Sequence, residues 1–406
     1  MDEIEIQGKS KVQVCPVENK RDFERFLRFP WTIYGNDPLW VPPILPERKA
    51  ILDPKRGEFF LRGGEAKLFL AIKEGRIVGT IAAAEDCSAN TRDATKHCIF
   101  GFFEYINDLD VARALIETVE EWGHSRGLTE LYGPFNLDYE NAYGVLVEGR
   151  DRPPVLLCGH TPPYYLSTME ILGFLPARGD NIAIEIRLDK PIPDRAKLAS
   201  LAASAREHRG YSIRNANFFR FEDEVNCVLE LLNKSLAHLP GFIAWEKPAV
   251  RALLEPFRSF ADPRLVLFAM KEGKTVGFFP AVPNLNEVLI KCDGFRTPYA
   301  ALSGFIRMSL FSHPRTPEMR GIRRFLSRRY ECVTIKSVLV PPEHWGAGAA
   351  VLLFDEMIRR LEGLGYSWID LSLTSEDNPN TPALAERFGG KIYKRYRVFR
   401  KAIASY

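Results

Sequence analysis

Two periods of hydrophobic spacing run through the chain. Residues 68–79, LFLAIKEGRIVG, and residues 266–277, VLFAMKEGKTVG, each pass from an apolar run through a Lys-Glu-Gly-basic turn into a second apolar run, a pattern that predicts a β-hairpin. Ala71, Lys73, Glu74, Gly75, Val78 and Gly79 recur as Ala269, Lys271, Glu272, Gly273, Val276 and Gly277, so the hairpin reads as one unit used twice. Upstream of each copy lies a short strand candidate and an amphipathic helix: VQVCPV then RDFERFLRF, and YSIRNA then FEDEVNCVLELLNKSL. Downstream of each come a strand (KHCIFGFFEYI; ECVTIKSVLV), a helix, a glycine (Gly127; Gly365) and another strand. In the second copy Ala350, Leu353, Phe354, Met357, Ile358 and Leu361 recur at helical spacing and predict one buried helix face. In the first, Asp108 stands where an N-cap would open the corresponding helix.

This order predicts an α+β chain of two domains, each of β-α-β-β-β-α-β type with a mixed, mostly antiparallel sheet flanked by helices. The stretch Asp189-Lys190-Pro191-Ile192-Pro193-Asp194 reads as a linker, which gives domains of 1–190 and 191–406. The second copy carries extra residues at about 295–331, where Arg315, Arg320, Arg323, Arg324, Arg328 and Arg329 cluster. That run reads as a solvated face or lid rather than an anion grip.

Composition narrows the class without naming it. The chain has 406 residues, 46% hydrophobic and 26% charged, and its net charge of +3 argues against nucleic acid as a bulk partner. No apolar run approaches the roughly 18 residues a membrane span needs. The N-terminal MDEIEI lacks a secretory core, and a cytoplasmic location with no membrane partner is expected. The seven cysteines form no C-x-x-C pair and the seven histidines no H-E-x-x-H, so neither a disulfide framework nor a metal site is expected.

The segment 333–354, VTIKSVLVPPEHWGAGAAVLLF, carries the chemistry. A strand ends at Val340, two prolines stop it, and Gly346-Ala347-Gly348 opens the amphipathic helix. Small residues at a helix N-terminus expose backbone N–H groups at the positive end of the dipole, a site for a phosphate or diphosphate. A P-loop lacks its first glycine, since position 268 is Phe, and a dinucleotide fingerprint lacks its third, since position 351 is Val. The segment resembles the acyl-CoA loop of the GNAT superfamily of N-acyltransferases, Gln/Arg-x-x-Gly-x-Gly/Ala after a strand, with Leu353 at the family's helix leucine. Asn378 and Gly389 fall at two further family positions. Trp345 stands where the family has Gln or Arg, and Ala385 where many members have a tyrosine acid. The terminal KIYKRYRVFRK and the runs Gly133-Pro134-Phe135-Asn136, Tyr143-Gly144-Val145-Leu146 and Pro162-Pro163-Tyr164-Tyr165 are similar to tandem GNAT-like proteins.

The resemblance implies acyl-CoA, acetyl-CoA or another, held by Leu339, Val340, Trp345, Gly346, Ala347, Gly348, Ala349, Ala350 and Asn378. A backbone N–H near Leu339–Val340 would face the developing oxyanion. Candidates for a catalytic base and acid on the strand ends are Glu376, Asp377, Tyr393 and Tyr396, of which Glu376 and Tyr393 are taken as catalytic. Asn136, Tyr143, Tyr164 and Tyr165, a polar-aromatic set in loop segments of the first half, are candidate substrate contacts, and that half reads as a degenerate copy without the motif. The implied activity is transfer of an acyl group, acetyl by expectation, to an amine of a small molecule or peptide, by a monomer or homodimer. Two alternatives stay open: a non-catalytic acyl-CoA sensor, and a Fem-type transferase using aminoacyl-tRNA.

Overall fold

The computed structural model describes residues 11–137, 143–238, 244–312, 328–336, 338–378 and 380–404. Two compact units emerge, and they are not consecutive stretches. One comprises residues 1–180, 289–304 and 394–406; the other 181–288 and 305–393. The consecutive division at 190/191 is thereby corrected. The strand Asn181–Arg187 precedes the proline-rich linker yet pairs in the second unit with Trp368–Ser375, and the chain's last strand, Phe399–Ala402, pairs in the first with Glu130–Gly133.

The first unit is built on a seven-stranded sheet. From one edge the order is Gln13–Pro16, Glu65–Lys73, Arg76–Glu85, His97–Tyr105, Glu130–Gly133, Phe399–Ala402 and Leu175–Pro176. All adjacent pairs whose direction is established are antiparallel except His97–Tyr105 with Glu130–Gly133. Successive side chains on a strand point to opposite faces, and here both faces are buried. Phe69, Ala71, Ile81 and Ala83 join one apolar cluster with Val111, Leu115 and Val119 of the helix Leu109–Ser125. Leu70, Ala82 and Ala84 join the other, with Phe26, Leu27 and Leu45 of the helices before the hairpin. Double-sided burial explains why IVGTIAAA carries no polar alternation. Asp108 caps the helix as expected, its carboxylate accepting from the Asp110 N–H at 2.9 Å and pairing with Lys73 at 2.7 Å.

The second unit repeats the plan. Its strands run Tyr211–Asn215, Val266–Lys271, Lys274–Pro283, Cys332–Ile335, Trp368–Ser375 and Asn181–Arg187, followed by the start of Lys391–Arg397. The two hairpins match in detail. Glu74 and Gly75 have φ of 52° and 72°, Glu272 and Gly273 of 50° and 75°, the left-handed pair that fits the twist of a tight hairpin. The register also shifts at the same point, between Ala71 and Ile72 in one and Ala269 and Met270 in the other.

The helix Ala349–Leu364 buries Leu353, Phe354, Met357, Ile358 and Leu361 as its spacing predicts, with Ala349 rather than Ala350 at the start of the stripe. Of the Arg-rich insertion, 313–327 lie outside the described residues, with Arg315, Arg320, Arg323 and Arg324 among them; Arg328 and Arg329 form a short strand beside Phe311–Ser312. Among the described residues no helix is long and apolar enough to cross a membrane, and no three metal-ligating side chains gather.

Candidate functional site

In the second unit, Cys332–Ile335 pairs in parallel with Trp368–Ser375 only as far as Ile335 opposite Leu371. Beyond that point the strands part. The first stays with its other neighbour, Lys274–Pro283, where Leu339 exchanges both backbone bonds with Phe278 at 3.0 and 2.9 Å. The second continues against Asn181–Arg187, Thr374 opposite Ile182 and Ser375 opposite Asn181. The Leu339 N–H is therefore spent on Phe278 and is no oxyanion donor. Amides alternate sides along an extended strand, so that of Val340 is directed away from Phe278.

The Gly346-Ala347-Gly348 turn is open on one side and tight on the other. Gly346, at φ 70°, has nothing within 4 Å of where a Cβ would stand. Gly348, at φ 91°, caps the helix in a conformation side chains resist, and a Cβ there would come 2.9 Å from the Cβ of Ala205. No side chain caps this N-terminus, and helix geometry leaves the N–H groups of its first turn without intrahelical partners. Arg209 donates to the Gly346 carbonyl at 3.1 Å, which adds a guanidinium to the positive end of the dipole. Trp345 is half exposed; its indole N–H donates to the Val340 carbonyl at 2.7 Å and its ring meets His238 edge-on. His344 is joined to the Tyr211 hydroxyl at 2.9 Å. Ala347 donates to the His344 carbonyl, and Ala349 is buried beneath the turn. An open glycine, unpaired amides and a neighbouring arginine suit a diphosphate.

A buried polar cluster sits where the strands part, and sequence reasoning found only one of its members. Asp370, with no exposure, accepts from the Ser372 hydroxyl at 2.5 Å and the Tyr393 hydroxyl at 2.8 Å. Lys336 donates to Ser372 Oγ at 2.8 Å and lies 3.6 Å from the carboxylate. Burial pushes the Asp370 carboxyl above the usual range, with the Lys336 charge opposing it. A readable signal existed: Asp370 and Ser372 are polar at alternate positions of an apolar strand and so share a face. Glu376 lies exposed on the turn after that strand. Asn378 is exposed as well, its N–H donating to the Ser375 carbonyl and its side-chain amide weakly to Thr381.

The four first-half candidates do not gather. Tyr164 and Tyr165 pack with one core cluster and Tyr143 with the other. Tyr164 donates to the Tyr105 carbonyl at 2.6 Å and Tyr165 to Glu104 at 2.8 Å, while Asn136 accepts from the N–H of Phe102, whose φ is 46°. Asn136 holds a strand irregularity in place, and Tyr143 stacks on Phe135. Glu104, its carboxyl raised by burial, also accepts from Tyr34 at 2.7 Å.

No family model matches the chain. It is 30% identical over 397 residues, 97% of its own length and 98% of the relative's, to a protein of Caulobacter vibrioides called bacterial ceramide synthase. It is 28% identical over 392 residues, 95% of this chain and 94% of the other, to the Escherichia coli protein YghO. In structure it resembles a tandem GNAT protein from the clavulanic acid biosynthesis pathway, at a TM-score of 0.54 and 13% identity over 98% of this chain and 100% of that one. The fold is thus a tandem GNAT fold.

Proposed function

The chain belongs to the family of the Caulobacter bacterial ceramide synthase, and from that premise we propose that it is an N-acyltransferase drawing on an acyl-CoA. A ceramide is a fatty amide of a long-chain amino alcohol, so the acceptor proposed is the amine of such a molecule, with a fatty acyl group in place of the acetyl expected from the superfamily. The observation that carries the reading is the uncapped helix N-terminus at Gly348, beside the point where two neighbouring strands part.

The N–H groups of Gly346, Gly348, Ala349 and Ala350, with Arg209, would hold the diphosphate. A thioester supplies an acyl carbon open to direct attack by an amine. The Val340 N–H is the donor proposed for the charge developing on the carbonyl oxygen, in place of Leu339. Ala385 is buried and has no hydroxyl to give, so the Tyr393 O–H is the proposed acid for the departing sulfur. Asp370, which accepts the hydrogen bond of the Tyr393 hydroxyl, is the group that would orient it. Glu376 is the proposed acceptor of the ammonium proton.

The test is thiol release from palmitoyl-CoA and acetyl-CoA with sphinganine and ethanolamine as acceptors. Acceptor-dependent release with the long-chain pair is expected. Saturable thioester binding without release in any combination would overturn the reading in favour of a sensor, and transfer from aminoacyl-tRNA alone would favour the Fem-type activity.

A further inference from the structure

The first unit contains a cavity of about 260 Å³ lined by Trp31, Tyr34, Asp37, Trp40, Lys291, Asp293 and Arg296, with Gly35, Pro42 and Ile290 between them. Its aromatic wall is tightly built. Tyr34 stacks on Trp40 at 5.1 Å, and Trp31 meets Trp40 at 5.3 Å, nearly perpendicular. The segment carrying Lys291, Asp293 and Arg296 reaches this wall through Gly294, where a Cβ would fall 2.4 Å from the Pro43 carbonyl oxygen and 2.7 Å from the Trp31 ring. The Trp31 indole N–H donates to Asp293 at 2.7 Å, which fixes the ring and the segment to each other.

The charges lining the cavity are unequally matched. Asp293 is neutralised by Arg296 at 2.5 Å, and that guanidinium also lies 5.6 Å from the centre of the Trp31 ring, so the wall already receives one cation from the protein itself. Asp37 has no such counter-ion among the described residues. Its carboxylate accepts from the Leu39 N–H at 2.9 Å and from His160 Nε2 at 2.7 Å, and its side chain is still 36% exposed. The two contacts leave lone pairs open toward the cavity.

His160 explains the arrangement. Its side chain is only 5% exposed, and its second nitrogen, Nδ1, is buried without a hydrogen-bond partner. Burial, together with the charges of Lys394 and Arg150, holds its proton affinity below the usual histidine range against the pull of Asp37. A neutral ring orients Asp37 without cancelling its charge. An orphaned buried nitrogen is destabilising, and the first unit tolerates it while leaving a carboxylate uncompensated at an aromatic wall.

We propose that this cavity binds a small primary ammonium ion, its N–H groups donating to Asp37 and its charge facing the Trp31–Tyr34–Trp40 wall. An anion would find less: Arg296 is committed to Asp293, and of the lining cations only the exposed Lys291 remains. The inference rests on the cavity and not on the acyl-transfer reading, and its test needs no thioester.

The experiment is a titration of the full chain with ethanolamine, followed by tryptophan fluorescence, with ethylene glycol and acetate in parallel. Saturable quenching by ethanolamine and none by ethylene glycol is expected. Asp37→Asn keeps the shape and should weaken binding by about tenfold or more, as loss of a charged hydrogen bond requires. Lys291→Glu, at an exposed position, should tighten it by about twofold; this variant keeps the test decisive should Asp37→Asn fail to fold. Equal response to ethylene glycol, affinity unchanged in both variants, or saturable acetate binding abolished by Lys291→Glu would each overturn the proposal.

Discussion

Tyr393 donates a hydrogen bond from its hydroxyl to a carboxylate that has no exposure to water, and that one bond can serve stability or catalysis. Tyr393→Phe separates the two. Removing one donor from a buried carboxylate should lower stability by about 1–3 kcal/mol, read as a shifted denaturant midpoint. If the hydroxyl also protonates a leaving thiolate, thiol release should fall by a further factor of about 10²–10⁴ under conditions where the variant is fully folded. Activity that merely tracks the folded fraction would reduce Tyr393 to a structural role. Glu287 makes a separate point about pH. Its carboxylate accepts from the N–H groups of Glu331 and Cys332 at 2.9 and 3.0 Å, yet burial pushes its ionisation up to about 7 from an ordinary 4.5. A group raised in this way favours folding at low pH, and its contribution is lost as pH rises from 4.5 through about 7. Glu287→Gln should begin less stable, because its NH₂ faces an N–H, but should lack that decline. The difference between wild type and variant, measured by denaturant unfolding at several pH values, should narrow as pH rises from 5 to 8; a constant difference would refute the assignment.

At the scale of elements, the Gly-rich turn shows what spacing can and cannot tell. Small residues before an apolar stripe mark a strand-to-helix turn, and the hairpin repeats are read from Lys-Glu-Gly because a tight turn with two left-handed residues tolerates few sequences. The reason for each glycine is not local. Gly348 is required by Ala205, on a helix more than a hundred residues earlier, whereas Gly346 faces open space. Gly348→Ala should therefore cost more than Gly346→Ala. Both pay for a left-handed φ, about 1 kcal/mol, and only Gly348→Ala adds a steric clash of about 1–3 kcal/mol. Adding Ala205→Gly should recover the second part alone, a coupling that a double-mutant cycle by thermal unfolding would measure. Equal costs at the two glycines would mean that the helix Arg195–Arg209 does not press on the turn.

The exchange of strands belongs to the whole molecule, and it escaped the sequence for a physical reason. A strand's own pattern records which faces are buried, but not which neighbour supplies its ladder. RVFRKAI reads equally well as the end of either unit, and the repeat argues for the nearer one. In the structure Phe399 pairs with Gly133 on one side and Pro176 on the other, so a strand from the chain's end lies inside the first unit's sheet. Phe399 and Ile403 are buried in the cluster that includes Val119 and Leu131, and Lys401 pairs with Glu120 at 2.8 Å. Of the cluster at Asp370 the sequence shows only that Asp370 and Ser372 share a strand face; Lys336 and Tyr393 join them only once strands distant in sequence are aligned. Because the second unit's residues end at Tyr393, removing the chain from Phe399 onward takes nothing from it. The truncated chain should lose the first unit's cooperative unfolding transition in calorimetry and keep one assigned to the second. Hydrogen exchange would check the assignment, with protection lost in His97–Tyr105 and retained in Val266–Lys271. A first unit that stays protected without its last strand would show that the inserted strand closes a sheet already stable on its own.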